Sequence, residues 1–158
     1  MPLNSGEYDF ITTFNAVHHF NIPRFFEEAF RLLKPQGLLF IYTRTPAQNA
    51  QTIWGKCFPL FKQAETRLCN IGDFLNMAMD SKFKVEDIEI FRYGRVASLQ
   101  ELVRRARSFH YSTFRLIPQE RFEDCVAAFE RIVREVHDNP DQVKWIDSNV
   151  LFVFRKPK

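Results

Sequence analysis

Two adjacent histidines near the N-terminus, His18 and His19, are the side chains of this sequence best suited to moving a proton. The unperturbed pKa of histidine lies close to neutrality, so either imidazole could act as a general base. Both follow an apolar, β-branched run and precede apolar residues at helical spacing, which predicts that they lie on a loop. A histidine on such a loop can also cap the strand end or bond to the backbone, and both interpretations stay open at this point.

Strand, helix and strand patterns surround this loop. Tyr8–Asn15 is short and rich in aromatic and β-branched residues, which predicts a strand covered on both faces. Asn21 can cap a helix that ends at Lys34–Gly37, where a cation, a proline and a glycine able to adopt positive φ lie together. Leu38–Thr43 predicts a second buried strand, and the three elements form a parallel, right-handed βαβ unit. The apolar positions of the helix are Ile22, Phe25, Phe26, Ala29, Phe30 and Leu33.

Several strings of residues resemble class I S-adenosylmethionine-dependent methyltransferases. Tyr8–Ile11, Asn15–Phe20 and Arg31–Leu39 are similar to the region from the fourth to the fifth strand of that family, and the third string contains its R-x-L-K-P-x-G element. The C-terminal part resembles the small-molecule branch of trans-aconitate or ubiquinone-pathway type. There, Ser98–Leu102 with Arg107–Thr113 is similar to the substrate-side cap, and Asn149–Pro157 to the last strand.

The resemblance implies a Rossmann-like α/β methyltransferase fold with a mixed sheet and a C-terminal antiparallel strand. It covers only the second half of that fold, because the family's glycine-rich phosphate loop and the acidic residue that binds the ribose are not matched. The five glycines, Gly6, Gly37, Gly55, Gly72 and Gly94, contain no G-x-G. We therefore expect a methyltransferase fold without its N-terminal cofactor-binding strands, and a chain that is incomplete as an enzyme by itself.

An incomplete fold of this kind would leave Tyr8–Asn15 as an exposed, hydrophobic edge strand. That edge would pair with a complementing N-terminal half or with a second copy in a homodimer. The alternative function is a non-catalytic, methyltransferase-like interaction module that dimerises or docks a partner through this edge.

The resemblance also implies S-adenosylmethionine as the cofactor. Ligands of open α/β sheets bind beyond the carboxyl ends of the strands, so the loops 15–20 and 43–46 are expected to border the site. Asn15, Ala16 and Val17 are then candidate cofactor-binding residues, and His18 or His19 a candidate base. The D/N-P-P-aromatic motif of family members that methylate DNA or protein amides is not matched at this position, which favours a small-molecule acceptor.

Five residues are the candidates for binding that acceptor. Arg107 could hold a carboxylate through two hydrogen bonds, as an acidic acceptor of trans-aconitate type would require, or it could be a solvated charge at a helix end. Tyr111 and Ser112 could orient the acceptor by hydrogen bonds. The full set is Trp54, Arg107, His110, Tyr111 and Ser112.

The rest of the sequence predicts a mostly helical segment and a closing strand. Helices are expected from Thr45–Pro46 to about Lys56, from Asn70, after the capping box at Ser98, and over Gln119–His137. Their inner faces are predicted as Ile71, Phe74, Leu75, Ala78 and Met79, and as Phe122, Cys125, Val126, Phe129, Ile132, Val133 and Val136. Phe83–Arg95 predicts a strand with one partly wet face, and Val143–Arg155 an edge or antiparallel strand. We expect one domain over residues 1–158, with the βαβ unit in 1–46, the substrate-side segment in 47–142 and the closing strand in 143–158.

Composition narrows the remaining classes of function. The net charge of +3 without a basic, aromatic-rich patch argues against nucleic-acid binding. The longest apolar run has about five residues, far short of the ~20 of a membrane span, so no membrane insertion is expected. Three cysteines without metal-type spacing predict free thiols, no metal site and a cytoplasmic location. The eighteen phenylalanines fall mainly at core positions and predict an aromatic core.

Overall fold

The computed structural model describes residues 3–158, which form two compact units. Unit 1 contains residues 3–45, 67–91 and 149–158, and unit 2 contains residues 46–66 and 92–148. Each unit has a hydrophobic core of its own. The three segments expected from the sequence do not coincide with these units, because each unit is assembled from separate stretches of the chain. That the chain is a single domain stays a prediction.

Within residues 3–158, four strands form one mixed sheet in the order β1-β2-β4-β3. They are β1 Tyr8–Phe14, β2 Leu33–Thr43, β3 Lys84–Ala97 and β4 Val143–Arg155. β1 is parallel to β2, and β2 is antiparallel to β4. The predicted α/β class with a mixed sheet and an antiparallel C-terminal strand is confirmed. The helices are α1 Ile22–Leu32, α2 Pro46–Gln51, α3 Ile53–Cys57, α4 Phe61–Ala64, α5 Ile71–Asp80, α6 Leu99–Arg107 and α7 Gln119–Val136, with 3-10 turns at Val17–His19 and Ser112–Leu116.

The β1–α1–β2 segment follows the predicted strand–helix–strand path. Asn21 caps α1, because its side chain accepts a hydrogen bond from the N–H of Arg24 at 3.1 Å. The positive φ predicted for Gly37 lies instead at Gln36, whose φ is 68°. Gly37 is needed for a different reason: a Cβ there would lie 3.0 Å from the carbonyl oxygen of Lys34 and 3.1 Å from that of Asp9. The glycine therefore allows β2 to approach β1 closely.

β1 is an edge strand, so the prediction that it is covered on both faces is wrong. Phe10 and Phe14 are 62% and 67% exposed. Their rings lie beside those of Phe40 and Tyr42 on β2, with centroids 6.3 and 5.7 Å apart. Apolar composition alone does not determine burial, which depends on the elements that lie beside a strand. The exposed aromatic residues agree with the alternative expectation of a hydrophobic edge.

β4 lies inside the sheet, between β2 and β3. Of the two predictions for this strand, the antiparallel one is therefore confirmed and the edge one is wrong. Val150, Phe152 and Phe154 are fully buried in the core of unit 1. Phe26 of α1 packs edge-on against Phe154 with centroids 5.5 Å apart. The C-terminal strand is thus the centre of the core that supports the β1–α1–β2 segment.

Unit 2 is built mainly from α3, α6 and α7 around a second core. Ser98 caps α6 by accepting from the N–H of Glu101 at 3.1 Å, which confirms the predicted helix start. The predicted continuous helix to Lys56 is wrong, since the chain breaks at Thr52. The Thr52 hydroxyl donates to the carbonyl of Asn49 at 2.8 Å and accepts from the N–H of Gly55 at 3.0 Å, so it ends α2 and starts α3.

Two residues predicted on inner helix faces are exposed. Met79 of α5 is 57% exposed and Val136 of α7 is 60% exposed. Both lie in the last turn of their helix, beyond the part that packs on a core. The buried residues of the same stripes include Phe74 and Ala78 in α5 and Phe122, Cys125, Val126, Phe129 and Val133 in α7.

Candidate functional site

The loop after β1 leaves the strand through a strained residue. Asn15 has a positive φ of 49°, which asparagine tolerates better than most residues, and its N–H donates to the carbonyl of Tyr42 at 2.8 Å. The chain then forms the 3-10 turn Val17–His19, which is anchored by the buried side chain of Val17. These contacts hold Asn15 and the two histidines beyond the carboxyl end of β1.

Asn149 of β4 joins the loops that follow β1 and β2. Its Nδ2 donates to Oδ1 of Asn15 at 3.0 Å and to the carbonyl oxygen of Thr43 at 3.1 Å. Its Oδ1 accepts from Nη2 of Arg44 at 3.3 Å. Asn149 is 1% exposed, so these hydrogen bonds are made in a buried setting where an unsatisfied partner would be costly. The two loops expected to border a ligand site are therefore held together by one amide group.

Asn149 was not among the site residues predicted from the sequence. The signal was present, because an amide at the start of the apolar run Val150–Phe154 is unusual for a buried strand. Its partner Asn15 lies 134 residues earlier in the chain, so only the fold shows what the amide contacts.

The two histidines differ in their surroundings. Their rings lie side by side with centroids 4.2 Å apart, His18 half-buried and His19 exposed. Nδ1 of His19 is 3.4 Å from Nη1 of Arg67. Arginine can only donate, so Nδ1 is the acceptor and the ring proton of a neutral His19 lies on Nε2. Nδ1 of His19 therefore faces Arg67, whereas Nδ1 of His18 is buried.

In unit 2, the structure brings three of the five predicted acceptor-binding residues together. Trp54, His110 and Tyr111 line a cavity of about 470 Å³. Trp54 is only 2% exposed, and its ring stacks on Phe129 with centroids 5.2 Å apart, so it forms the floor of the cavity. Tyr111 is half-buried and His110 is exposed.

Arg107 and Ser112 do not line this cavity. The guanidinium of Arg107 pairs with Glu123 of α7 at 2.9 Å, on the exposed surface between α6 and α7. This hydrogen bond raises the pKa of Arg107. Ser112 begins the 3-10 turn that follows Tyr111. The two-point carboxylate contact predicted for Arg107 therefore requires that its pair with Glu123 opens.

The charged residues of the cavity were not predicted from the sequence. Glu101 accepts from Nε and Nη2 of Arg104 at 2.7 and 2.8 Å and from Nε of Arg105 at 2.7 Å. These hydrogen bonds lower the pKa of the Glu101 carboxyl to about 2. Asp147, which is 4% exposed, accepts from Nε1 of Trp145 at 3.1 Å and lies 3.6 Å from Nε of Arg95. The i, i+3 and i, i+4 spacing of Glu101, Arg104 and Arg105 was the available signal.

No group of three or more His, Cys, Asp and Glu side chains in residues 3–158 is placed to hold a metal ion. None of the helices in that range has the length and apolar character needed to cross a bilayer.

The N-terminal segment matches a known family. Residues 1–41 match a family model described as a methyltransferase domain. A 43-residue segment is 49% identical to a protein of Dictyostelium discoideum that is named as a candidate methyltransferase, and this segment is 27% of the present chain and 16% of that protein. The family match therefore covers the region that contains β1, α1 and most of β2.

Solved structures share the fold over the whole chain. A candidate methyltransferase of Bacillus halodurans is 18% identical, with a TM-score of 0.61, and the match covers 100% of this chain and 68% of that one. Phosphoethanolamine N-methyltransferase 2 of Haemonchus contortus, solved with phosphomonomethylethanolamine and S-adenosylhomocysteine, is 17% identical, with a TM-score of 0.50. That match covers 99% of this chain and 35% of the nematode protein. The chain thus has a Rossmann-like methyltransferase fold and spans about a third to two thirds of these relatives.

Proposed function

We propose that this chain takes part in the transfer of a methyl group from S-adenosylmethionine to a small-molecule acceptor. The observation that carries the proposal is the pair of loops after β1 and β2, which Asn149 joins at the carboxyl ends of the parallel strands. The first of these loops lies within residues 1–41, the segment that matches the methyltransferase domain. Open α/β sheets bind ligands at this end.

The loop after β1 fits part of such a cofactor. Asn15 is exposed, and the N–H of the half-buried Ala16 donates to no other described residue. Asn15, Ala16 and Val17 would contact the cofactor, whose sulfonium supplies an already activated methyl group. The protein then has to align the acceptor with the methyl group. Where the acceptor must lose a proton, a side chain of the protein has to take up that proton. His18 is our candidate for that base.

We assign binding of the acceptor to residues of unit 2, with Trp54, His110 and Tyr111 in first place and Arg107 and Ser112 as further candidates. The small-molecule class follows from the resemblance to the trans-aconitate and ubiquinone-pathway branch. The cavity volume of about 470 Å³ is in the range of small-ligand sites. We also propose a cytoplasmic location: Cys57, Cys69 and Cys125 are free thiols, and burial raises the pKa of each.

We further propose that the cofactor site of this chain is incomplete. A full site with an affinity of about 1 μM corresponds to about −8 kcal/mol. Without the groups that grip adenosine and ribose, about half of this free energy would remain, which corresponds to millimolar affinity. A complementing N-terminal half beside β1 would restore it, and the exposed Phe10 and Phe14 support this part of the proposal.

A titration followed by amide chemical shifts tests the cofactor site at this low affinity. We expect S-adenosylhomocysteine to shift the amide signals of residues 15–20 and 43–45 with a dissociation constant on the order of 1 mM. ATP, which shares the adenosine but lacks the amino-acid part, is the control ligand and should leave the signals of residues 15–17 in place.

Two outcomes would contradict the proposal. Unchanged signals in residues 15–20 and 43–45 at saturating ligand would show that these residues do not bind the cofactor. Micromolar binding by this chain alone would show instead that the site is complete.

The second candidate function is that of an interaction module that pairs through β1. The specific observation is that β1 is an edge strand on which Phe10 and Phe14 are mostly exposed. Unpaired backbone groups and exposed aromatic rings on one edge are a template for pairing with another strand. The partner can be a second copy of this chain.

Sedimentation equilibrium tests this pairing. We expect dimers at protein concentrations on the order of 50 μM, and monomers when Phe10→Lys and Phe14→Lys are combined, because charged side chains block edge pairing. The matched control is Val85→Lys with Ile90→Lys on β3, the opposite edge, where these residues are 43% and 52% exposed. Loss of the dimer in the control alone would assign the interface to β3, and a monomeric parent chain would count against pairing altogether.

A further inference from the structure

The polar cavity of unit 2 combines cationic and hydrogen-bonding groups from separate parts of the sequence. Arg95 comes from β3, Glu101 and Arg105 from α6, Tyr111 from the segment before the 3-10 turn, and Asp147 from β4. Trp54 and Trp145 supply apolar walls. A pocket with apolar walls and a few convergent polar groups is the usual form of a small-molecule site.

The charge of the lining is positive after its internal pairs are formed. Arg95, Arg104 and Arg105 face the two carboxylates of Glu101 and Asp147. Glu101 accepts three hydrogen bonds from Arg104 and Arg105, and Asp147 accepts one from Trp145 and lies beside Arg95. One cation therefore remains in excess, and three guanidinium groups disfavour a cationic ligand in spite of the aromatic walls.

Several donors in this lining have no acceptor in the part of the chain that the structure describes. Arg105 bonds to Glu101 through Nε. Nε of Arg95 lies 3.6 Å from Asp147, and its guanidinium lies over the ring of Tyr93, 4.5 Å from the centroid. The Nη groups of both arginines donate no hydrogen bond to another described residue. Tyr111 makes ring contacts with Trp54 and His110, at 6.3 and 5.0 Å between centroids, but its hydroxyl bonds to no described residue. Guanidinium forks and a hydroxyl are the donors that bind carboxylate and phosphate oxygens most strongly.

We propose that this cavity binds a small organic molecule through a carboxylate or phosphate group, which Arg95, Arg105 and Tyr111 hold by hydrogen bonds. The apolar part of the molecule packs against Trp145, above Trp54. This inference assigns the anion to Arg95 and Arg105 and not to Arg107, which pairs with Glu123. It rests on the proposed function only where it identifies the bound molecule with the methyl acceptor.

Intrinsic fluorescence reads this cavity directly, because the two tryptophans of the chain, Trp54 and Trp145, both line it. Hexanoate and hexyl phosphate are the anionic probes, and the one that binds more tightly identifies the headgroup. Hexanamide, of matched length but neutral, and hexyltrimethylammonium are the controls. We expect a saturable change in emission with at least one anion. Both controls should bind at least about tenfold more weakly than that anion.

Variants identify the residues that hold the anion. Arg105→Gln and Arg95→Gln should each weaken anion binding about tenfold or more, and Tyr111→Phe about threefold to tenfold. Tyr111→Phe keeps the ring contacts, so it remains informative if an arginine variant unfolds. Arg131→Gln is the matched control, because it breaks an arginine–glutamate pair of the same unit, with Glu135 on α7, away from the cavity. It should leave binding unchanged.

Three results would overturn the proposal: hexanamide binding as tightly as the anions, equal losses for Arg131→Gln and Arg105→Gln, or no saturable signal with either anion. These outcomes are distinct from failure of the methyl-transfer proposal. That failure is read from the amide signals of residues 15–20 and 43–45 in unit 1, with a different ligand.

Discussion

Replacing Gly55 by alanine is expected to lower the free energy of unfolding by about 3 kcal/mol, even though alanine is the better helix former. A Cβ at position 55 would lie 2.2 Å from the carbonyl oxygen of Asn49 and 2.7 Å from Cα of Ala50. Both neighbours are backbone atoms, so no side chain can rotate away to make room. The clash would separate α2 from α3 and disturb the adjacent Trp54, which is buried among aromatic rings.

Gly72→Ala is the matched control for this prediction. Gly72 lies in the first turn of α5, and a Cβ there would meet nothing within 4 Å. Alanine at that position should stabilise the protein by about 0.5–1 kcal/mol, because it restricts the unfolded chain and favours the helix. Urea unfolding of both variants measures the two effects. If Gly55→Ala has the same sign as Gly72→Ala, the tight junction between α2 and α3 is not present in solution.

Gly55 also shows why part of the fold could not be predicted from the sequence. The run from Pro46 to Lys56 follows a capping box and has proline at the first helical position, so local patterns predict one helix. The break depends on the side chain of Thr52, which bonds to both flanking segments, and on the missing side chain at Gly55. The helix propensities of single residues do not predict such a close approach between two short helices.

The elements that were predicted correctly are those whose signals are local. Asn21 and Ser98 cap their helices through bonds that span three residues, and the long apolar stripe of α7 is read at fixed spacing. Burial of β1 was predicted wrongly because it depends on which strands lie beside it. The same limit applies at the ends of helices. Met79 and Val136 continue the apolar stripes of α5 and α7 beyond the part of each helix that packs on a core, and both are exposed.

The residues of the candidate site also fall into those with a local sequence signal and those without one. Asn15, His18 and His19 were identified because they lie in a short loop within a recognisable strand–helix–strand segment. Asn149 and the cavity arginine Arg95 were missed because their partners lie far away in the chain. Tyr111 was predicted for its hydrogen-bonding side chain, and it does line a cavity. The arginine first assigned beside it, Arg107, is paired elsewhere, which residue types alone do not reveal.

Asn149→Asp is the prediction that tests the site most directly. We expect a loss of about 3 kcal/mol in the free energy of unfolding at neutral pH, together with loss of the S-adenosylhomocysteine shifts at residues 15–17. The substitution keeps the shape of the side chain but replaces the Nδ2 donor with an oxygen. That oxygen would face Oδ1 of Asn15 and the carbonyl of Thr43, now at 3.0 and 3.1 Å, and would repel both. Arg44 still faces the other oxygen, so we expect the protein to fold with its two loops released from one another.

Asn139→Asp is the matched control, because Asn139 is exposed and its side-chain oxygen accepts from the N–H of Asp141 at 2.9 Å. Aspartate keeps that acceptor, so stability and ligand shifts should stay as in the parent chain. Chemical unfolding gives the first readout and the amide titration gives the second. A destabilised Asn149→Asp protein that still shows the full shifts at residues 15–17 would make Asn149 a purely structural residue. Loss of the shifts in a variant whose amide spectrum is otherwise native would instead assign Asn149 a positioning role, because Asn15 is the proposed ligand contact and Asn149 is not.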